Sequence, residues 1–319
     1  MPDDAHTGSR SAEGMTSHEV IDLGPDGPPR GNPGVGAEIA FRAPAAGRAD
    51  ATMLRNVSEA TITVFRPESG AANGTGVIVC PGGGWRILAW EHEGLDMACW
   101  LADRGYTAFL LKYRLMATPS DPLEFAASMA TLSDRLAAPL AAARAPRALG
   151  ALLDKAGILA REIAADDGRR ALKIVRRRAA DWDLKADRLG MIGFSAGAFL
   201  AADVAMDPGG PPLAFVAPIY GGETGGRPVP ADAPPLFTVI AQDDRMLFKV
   251  VEGLYADWSN ADRSAELHIF ARGGHGFGMV RLGLPVDRWI DLFGDWLADL
   301  GFGQPSCGET PCRSSTPAR

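Results

Sequence analysis

Leu189-Gly190-Met191-Ile192-Gly193-Phe194-Ser195-Ala196-Gly197-Ala198 decides how this chain is read, because an apolar run meets a serine that small residues flank at fixed offsets. The pattern is that of a nucleophile elbow, in which a buried strand turns sharply into a helix and a strained serine lifts its hydroxyl above the sheet. Gly193 and Gly197 lie two residues either side of Ser195, where strand and helix are expected to approach too closely for a Cβ. The following segment, Ala198 to Met206, is Ala-rich and apolar, as a helix packed on a sheet should be. Its N-terminus beneath the serine favours negative charge. A Gly-x-Ser-x-Gly match also arises by chance in chains rich in glycine and serine, so the chemistry requires a base, an acid and an oxyanion hole elsewhere.

The five histidines are His6, His18, His92, His268 and His275, and two of them follow the serine. His268 sits inside the apolar strand pattern Glu266 to Ala271, which suits a structural role. His275 lies beyond it in Gly273-Gly274-His275-Gly276-Phe277-Gly278, a loop whose glycines let an imidazole reach over the sheet edge, and it is the expected base. For the acid, the strand Leu236 to Ala241 empties into Gln242-Asp243-Asp244-Arg245 at the edge where α/β sheets place their chemistry. Asp244 is taken as the orienter of the imidazole, leaving Asp243 to cap the turn or meet Arg245. Pro81-Gly82-Gly83-Gly84-Trp85 follows the strand Gly76 to Cys80 and offers bare backbone N–H groups. Gly83, Gly84 and, from the elbow, Ala196 are the expected oxyanion donors, each worth about 3 kcal/mol of barrier. Trp85 and Tyr220 are the expected substrate contacts.

Working outward, Ala60 to Arg66 alternates as a strand, Glu91 to Arg104 has the face of an amphipathic helix ended by Gly105, and Thr107 to Leu111 is a further apolar strand. Strands at Leu213 to Ile219, Leu236 to Ala241 and Glu266 to Ala271 follow the elbow, with helices at Val250 to Asn260 and around Trp289 to Leu300. Continuous rather than alternating apolar strands, interleaved with helices, imply an α/β class with a mostly parallel sheet covered on both faces. Residues 1–52, rich in Gly, Pro, Asp and Ala, read as an extended N-terminal arm and 53–302 as one catalytic domain. Within it, 117–166 reads as a helical cap-like insertion before a helix Gly168 to Trp182, since a structureless loop of that length is rare. The insertion either reaches over the active site or packs on the flank. The basic residues Arg169, Arg170, Lys173, Arg176 and Arg177 fall where the amphipathic pattern needs polarity, so a solvated face is expected rather than a binding patch. Residues 303–319 are expected to be a disordered tail.

A net charge of -7 over 319 residues argues against a polyanionic partner, so nucleic acid binding is not expected. Cys80 and Cys99 sit in apolar segments and behave as small core residues, while Cys307 and Cys312, without nearby histidines, are too few ligands for structural zinc. No metal and no organic cofactor are expected. Met1 to Val20 lacks the basic start and apolar run of a secretory signal, and no stretch is apolar for long enough to span a bilayer, so a cytoplasmic location is expected. The oligomeric state is not legible.

Taken together, Pro-Gly-Gly-Gly-Trp at 81–85, Gly-Phe-Ser-Ala-Gly at 193–197 and Gly-Gly-His-Gly-Phe-Gly at 273–278 resemble the α/β-hydrolase superfamily, and within it the branch of acetylxylan esterases and bacterial feruloyl/acetyl (dienelactone-hydrolase-like) esterases. Glu91-His92-Glu93-Gly94, Leu111-Lys112-Tyr113-Arg114-Leu115 and Asp187-Arg188-Leu189-Gly190 carry the same resemblance, which extends from about Val20 to Phe302. It implies Ser195 as nucleophile, Asp244 and His275 as its partners, and Gly83, Gly84 and Ala196 as oxyanion donors. The implied activity is a serine carboxylesterase that removes short acyl groups, acetyl above all, from a carbohydrate or small alcohol. An amidase or peptidase on the same triad, arylformamidase-like or prolyl-oligopeptidase-like, is the alternative, because the fold is shared and the leaving-group pocket is not readable.

Overall fold

Apolar strands with no polar alternation can be satisfied only between two layers, and this chain is built that way. Its computed structural model describes residues 18–24, 35–141 and 153–303, with the backbone alone for 132–141. The strands are β1 (Glu19–Asp22), β2 (Ile39–Ala45), β3 (Arg48–Arg55), β4 (Thr61–Phe65), β5 (Gly76–Cys80), β6 (Ile87–Leu88), β7 (Thr107–Lys112), β8 (Leu189–Phe194), β9 (Phe215–Ile219), β10 (Leu236–Ala241) and β11 (Ala265–Phe270). One sheet runs in the order β1-β4-β7-β5-β8-β9-β10-β11. From β7 to β11 every neighbour is parallel, and β4 and β1 continue the sheet antiparallel. All residues of β5, β8, β9 and β10 are buried, as their unbroken apolar sequences require.

The helices are α1 (Asp96–Ala102), α2 (Pro122–Ala141), α3 (Lys155–Arg177), α4 (Ala196–Ala205), α5 (Phe248–Asn260) and α6 (Trp289–Asp299). Trp296 of α6 meets Phe215 of β9 edge-on at 5.9 Å and Phe237 of β10 at 5.4 Å, an aromatic seam that closes the C-terminal helix onto the sheet.

Three local readings differ from expectation. The helix expected from Gly168 begins earlier: α3 runs unbroken from Lys155, so the last stretch of the supposed insertion, 155–166, is the first half of this helix. Gly168 does not start it. A Cβ there would lie 2.7 Å from Leu200 of α4, so the glycine serves a close helix crossing. Asp154 supplies the true N-cap, accepting from the Gly157 amide at 2.9 Å. The stretch read as an arm contains β1, β2 and most of β3, and β2 and β3 form an antiparallel hairpin that joins β6 in a second sheet of three strands. The helix expected over 91–104 is a π-helical turn, Trp90–Leu95, leading into α1, and the shifted face leaves Cys99, expected in the core, exposed while Cys80 is buried. The expected tail beyond Gly303, with Cys307 and Cys312, lies outside the described residues. Among the described residues no helix is long and apolar enough to cross a membrane, and no cluster of His, Cys, Asp and Glu could hold a metal ion.

A buried ion pair joins the chain just past β7 to α3. Arg114, just past β7, gives its backbone N–H to Asp167 Oδ2 at 2.9 Å and its Nη2 to Oδ1 at 2.6 Å. Both side chains are almost wholly buried, so the pair fixes α3 against the end of β7 in a single register.

Candidate active site

Ser195 sits between β8 and α4 with φ 49° and ψ -113°, a conformation that a serine adopts only when its surroundings impose it. Two glycines make the turn possible. A Cβ on Gly193 would lie 2.0 Å from the Gly197 carbonyl oxygen, and one on Gly197 would lie 2.0 Å from that of Cys80. The offsets legible in the sequence therefore correspond to backbone contacts that exclude any side chain.

His275 comes to the serine from the loop after β11. Ser195 Oγ is 2.9 Å from His275 Nε2, and His275 Nδ1 is 2.7 Å from Asp244 Oδ2. Asp244 is buried at 2% exposure, and its other oxygen accepts the amides of Met246 and Leu247, both at 3.1 Å. A carboxylate so held is an acceptor, which puts the imidazole proton on Nδ1 and leaves Nε2 to receive the serine proton. Burial acts against the imidazolium, but the hydrogen bond and charge of Asp244, helped by the charge of Glu93, outweigh it and raise the His275 pKa above its ordinary value.

The neighbouring carboxylate does a different job. Asp243 accepts the amide of Gly274 at 2.8 Å and faces that of Gly273 at 3.4 Å, bracing the loop that carries His275.

The glycine loop after β5 has Gly83 at φ 130° and Gly84 at φ 62°, with Trp85 also left-handed at φ 58°. A Cβ on Gly83 would lie 2.2 Å from the Ile87 carbonyl oxygen, so the position admits only glycine. The loop is pinned from behind: Tyr113 Oη donates to the Pro81 carbonyl at 2.7 Å, and the Gly82 amide donates to Glu93 Oε2 at 2.7 Å.

Gly83, Gly84, Trp85 and Ala196 line a cavity of about 310 Å³ together with Ser195 and His275. Its remaining wall is mostly apolar. Met53 and the β2–β3 hairpin close one side, Met129 of α2 another, and Phe199, Met246 and Leu247 the rest.

Tyr220 stands apart from the other expected site residues. It does not line the cavity: wholly buried at the end of β9, it packs edge-on against the His275 ring at 5.3 Å and against Phe277 at 4.6 Å. Its hydroxyl donates to Glu93 Oε1 at 2.6 Å and accepts the Gly278 amide at 3.1 Å. Burial, then the Glu93 charge, push its pKa well up, so it stays a donor. The reading of Tyr220 as a substrate contact gives way to one in which it supports the histidine loop, since a strand-end tyrosine points inward as readily as outward.

Two contributors to the cavity were missed from sequence, the hairpin and Glu93. The hairpin had a signal, since Ile39, Phe41, Ala43 and Ala45 alternate with Ala40, Arg42 and Pro44 and are followed by the turn Ala46-Gly47. Glu93 stood in Glu91-His92-Glu93-Gly94, a segment that carries the resemblance, but nothing in that segment assigned the carboxylate a role.

No family model matches the chain. It is 24% identical over 281 residues to an acetylxylan esterase of Xylanibacter ruminicola, a match that takes in 77% of this chain and 50% of that protein. The chain thus spans about half the length of this relative. Among solved structures it is similar to an acetyl ester-xyloside bifunctional hydrolase from Caldicellulosiruptor lactoaceticus, with TM-score 0.55, 21% identity, and 76% and 89% of the two chains covered. It is also similar to MGS-M1, an α/β hydrolase enzyme from a deep-sea metagenome of the Medee basin, with TM-score 0.54, 20% identity and coverage of 76% and 92%. A propionate-bound esterase of Thermogutta terrifontis gives TM-score 0.53 at 16% identity, with 86% and 98% covered. The fold is the α/β-hydrolase fold.

Proposed function

Proceeding from that fold, we propose that the chain is a serine carboxylesterase that hydrolyses short-chain acyl esters, acetyl esters above all, of carbohydrates or small alcohols. The observation that carries this is the unbroken relay from Ser195 Oγ through His275 to Asp244, at 2.9 and 2.7 Å, opening into an apolar cavity beside a glycine loop. The similarity to an acetylxylan esterase and to an acetyl ester-xyloside hydrolase supports the choice of acyl group.

In this reaction Ser195 Oγ attacks the ester carbonyl carbon while its proton passes to His275 Nε2. The carbonyl oxygen becomes an oxyanion, received by the amides of Gly83, Gly84 and Ala196. As the tetrahedral intermediate collapses, the bond to the alkoxy oxygen breaks and His275 returns the proton to it, releasing the alcohol. Water then attacks the acyl-enzyme, giving its proton to His275, and the second collapse restores the serine hydroxyl and frees the carboxylic acid. Asp244 holds the imidazole in the working tautomer and stabilises its charge without taking the proton itself.

Met53, Met129 and Phe199 narrow the cavity, which supports a short acyl chain and gives the first part of the insertion, with the hairpin, the role of a cap. The test is a panel of p-nitrophenyl esters from acetyl to hexanoyl, acetylated xylo-oligosaccharide, N-formylkynurenine and an aminoacyl anilide. Fastest turnover of acetyl esters is expected. Preferential cleavage of either amide would overturn the assignment.

A further inference from the structure

Glu93 takes no part in the proton relay, yet it is a carboxylate only 3% exposed on the wall of the same cavity. Its two oxygens serve two different loops. Oε2 accepts the Gly82 amide, at 2.7 Å, where the glycine loop begins. Oε1 accepts the Tyr220 hydroxyl at 2.6 Å, and that hydroxyl accepts the Gly278 amide at 3.1 Å, three residues beyond His275. The backbone of the same π-helical turn repeats the connection, with the His92 carbonyl accepting the Met279 amide at 2.9 Å. Gly278 is seated so tightly that a Cβ would lie 2.8 Å from that carbonyl oxygen and 3.0 Å from the Glu93 side chain.

We propose that Glu93 is a positioning residue that holds the oxyanion loop and the histidine loop at one mutual distance, and whose negative charge supports the imidazolium that His275 becomes during turnover. The inference rests on the relay described above. A carboxylate suits the position because the two groups that hydrogen-bond to it, the Gly82 N–H and the Tyr220 O–H, are both donors, with His92 Nε2 a further 3.8 Å from Oε1, and only a group with acceptors on both arms satisfies the two donors together. Glutamine would turn an NH2 toward one of them and leave a buried donor without an acceptor.

The charge acts at a defined place. The groups facing His275 are Asp244 from the turn after β10, Ser195 from the elbow, the Tyr220 ring from the end of β9, and Glu93 beside His92 on the π-helical turn; Asp243 braces the base of its loop. Glu93 is one of the causes that raise the His275 pKa, after burial, which opposes it, and Asp244.

The experiment compares wild type, Glu93→Gln and Tyr220→Phe by kcat and KM on p-nitrophenyl acetate across pH, with thermal melts to establish folding and a fluorophosphonate probe to report Ser195. Glu93→Gln is expected to lower kcat roughly 10- to 100-fold with little change in KM, because a displacement of about 1 Å between catalytic groups has that effect. The acid limb of its kcat/KM profile moves to lower pH, because the neighbouring anion is gone, and a merely structural role would not move it. Tyr220→Phe keeps the ring against His275 and is expected to lower kcat roughly tenfold while leaving the acid limb in place. A folded Glu93→Gln protein with wild-type kcat and profile overturns the inference alone. Should Glu93→Gln fail to fold, Tyr220→Phe decides: an unchanged kcat overturns the inference. A wild-type protein that neither turns over nor labels at Ser195 overturns the relay and the inference with it.

Discussion

Asp243 and Asp244, adjacent in the chain, share one histidine: Asp243 holds the Gly274 amide of its loop at 2.8 Å, and Asp244 holds the imidazole itself at 2.7 Å. The two are distinguishable because the turn after β10 aims one carboxylate at the loop backbone and the other at the ring.

Asp244→Asn is therefore expected to lower kcat by roughly four orders of magnitude, by offering Nδ1 a donor and favouring the wrong tautomer. Asp243→Asn keeps an acceptor for Gly274 and should lose no more than about tenfold. Steady-state kinetics on p-nitrophenyl acetate checks both, and the reverse ranking would mean that the carboxylates have been interchanged.

The raised pKa of His275 fixes the sign of the pH dependence. A general base works only when neutral, so kcat/KM is expected to rise with pH through the His275 ionisation, with a midpoint above the ordinary histidine value of about 6.5. A profile from pH 5 to 9 measures it. A midpoint at or below the ordinary value would contradict the pairing with Asp244.

Met53 and Met129 reach the cavity from the hairpin and from α2. Truncating either to alanine adds room where an acyl chain would extend, so the rate on hexanoyl relative to acetyl esters should rise roughly tenfold. An unchanged ratio in both variants would remove the hairpin and α2 from the account of specificity.

Asp167→Ala leaves the Arg114 guanidinium buried without its main carboxylate and is expected to destabilise the fold by about 3 to 5 kcal/mol. Urea unfolding followed by circular dichroism gives the value directly. A loss below about 1 kcal/mol would show that Asp167 contributes little to the register of α3.

Much of the fold and of the candidate site's geometry was legible because each left a local signal. β8 and β10 are unbroken apolar runs, the elbow glycines sit at fixed offsets, and the loop of His275 is written in glycines on either side of it. What was not legible depends on tertiary contact. Asp166-Asp167-Gly168 looks like a helix boundary, yet it lies inside α3 because Asp167 is paired with Arg114 and Gly168 admits α4. The hairpin of β2 and β3 alternates, but alanine and proline dilute the alternation until it resembles a linker. Tyr220 and Glu93 acquire their roles only from each other, across a gap of 127 residues that no local pattern spans.

Reaction of the intact protein with a fluorophosphonate probe, followed by peptide mass spectrometry, tests the central claim most directly, since only a serine activated by its base and facing an oxyanion hole reacts quickly. One phosphonyl adduct per chain, located on Ser195 and lost in Ser195→Ala together with esterase activity, is the expected result. Undiminished esterase activity in Ser195→Ala, or an adduct on another residue, would contradict it.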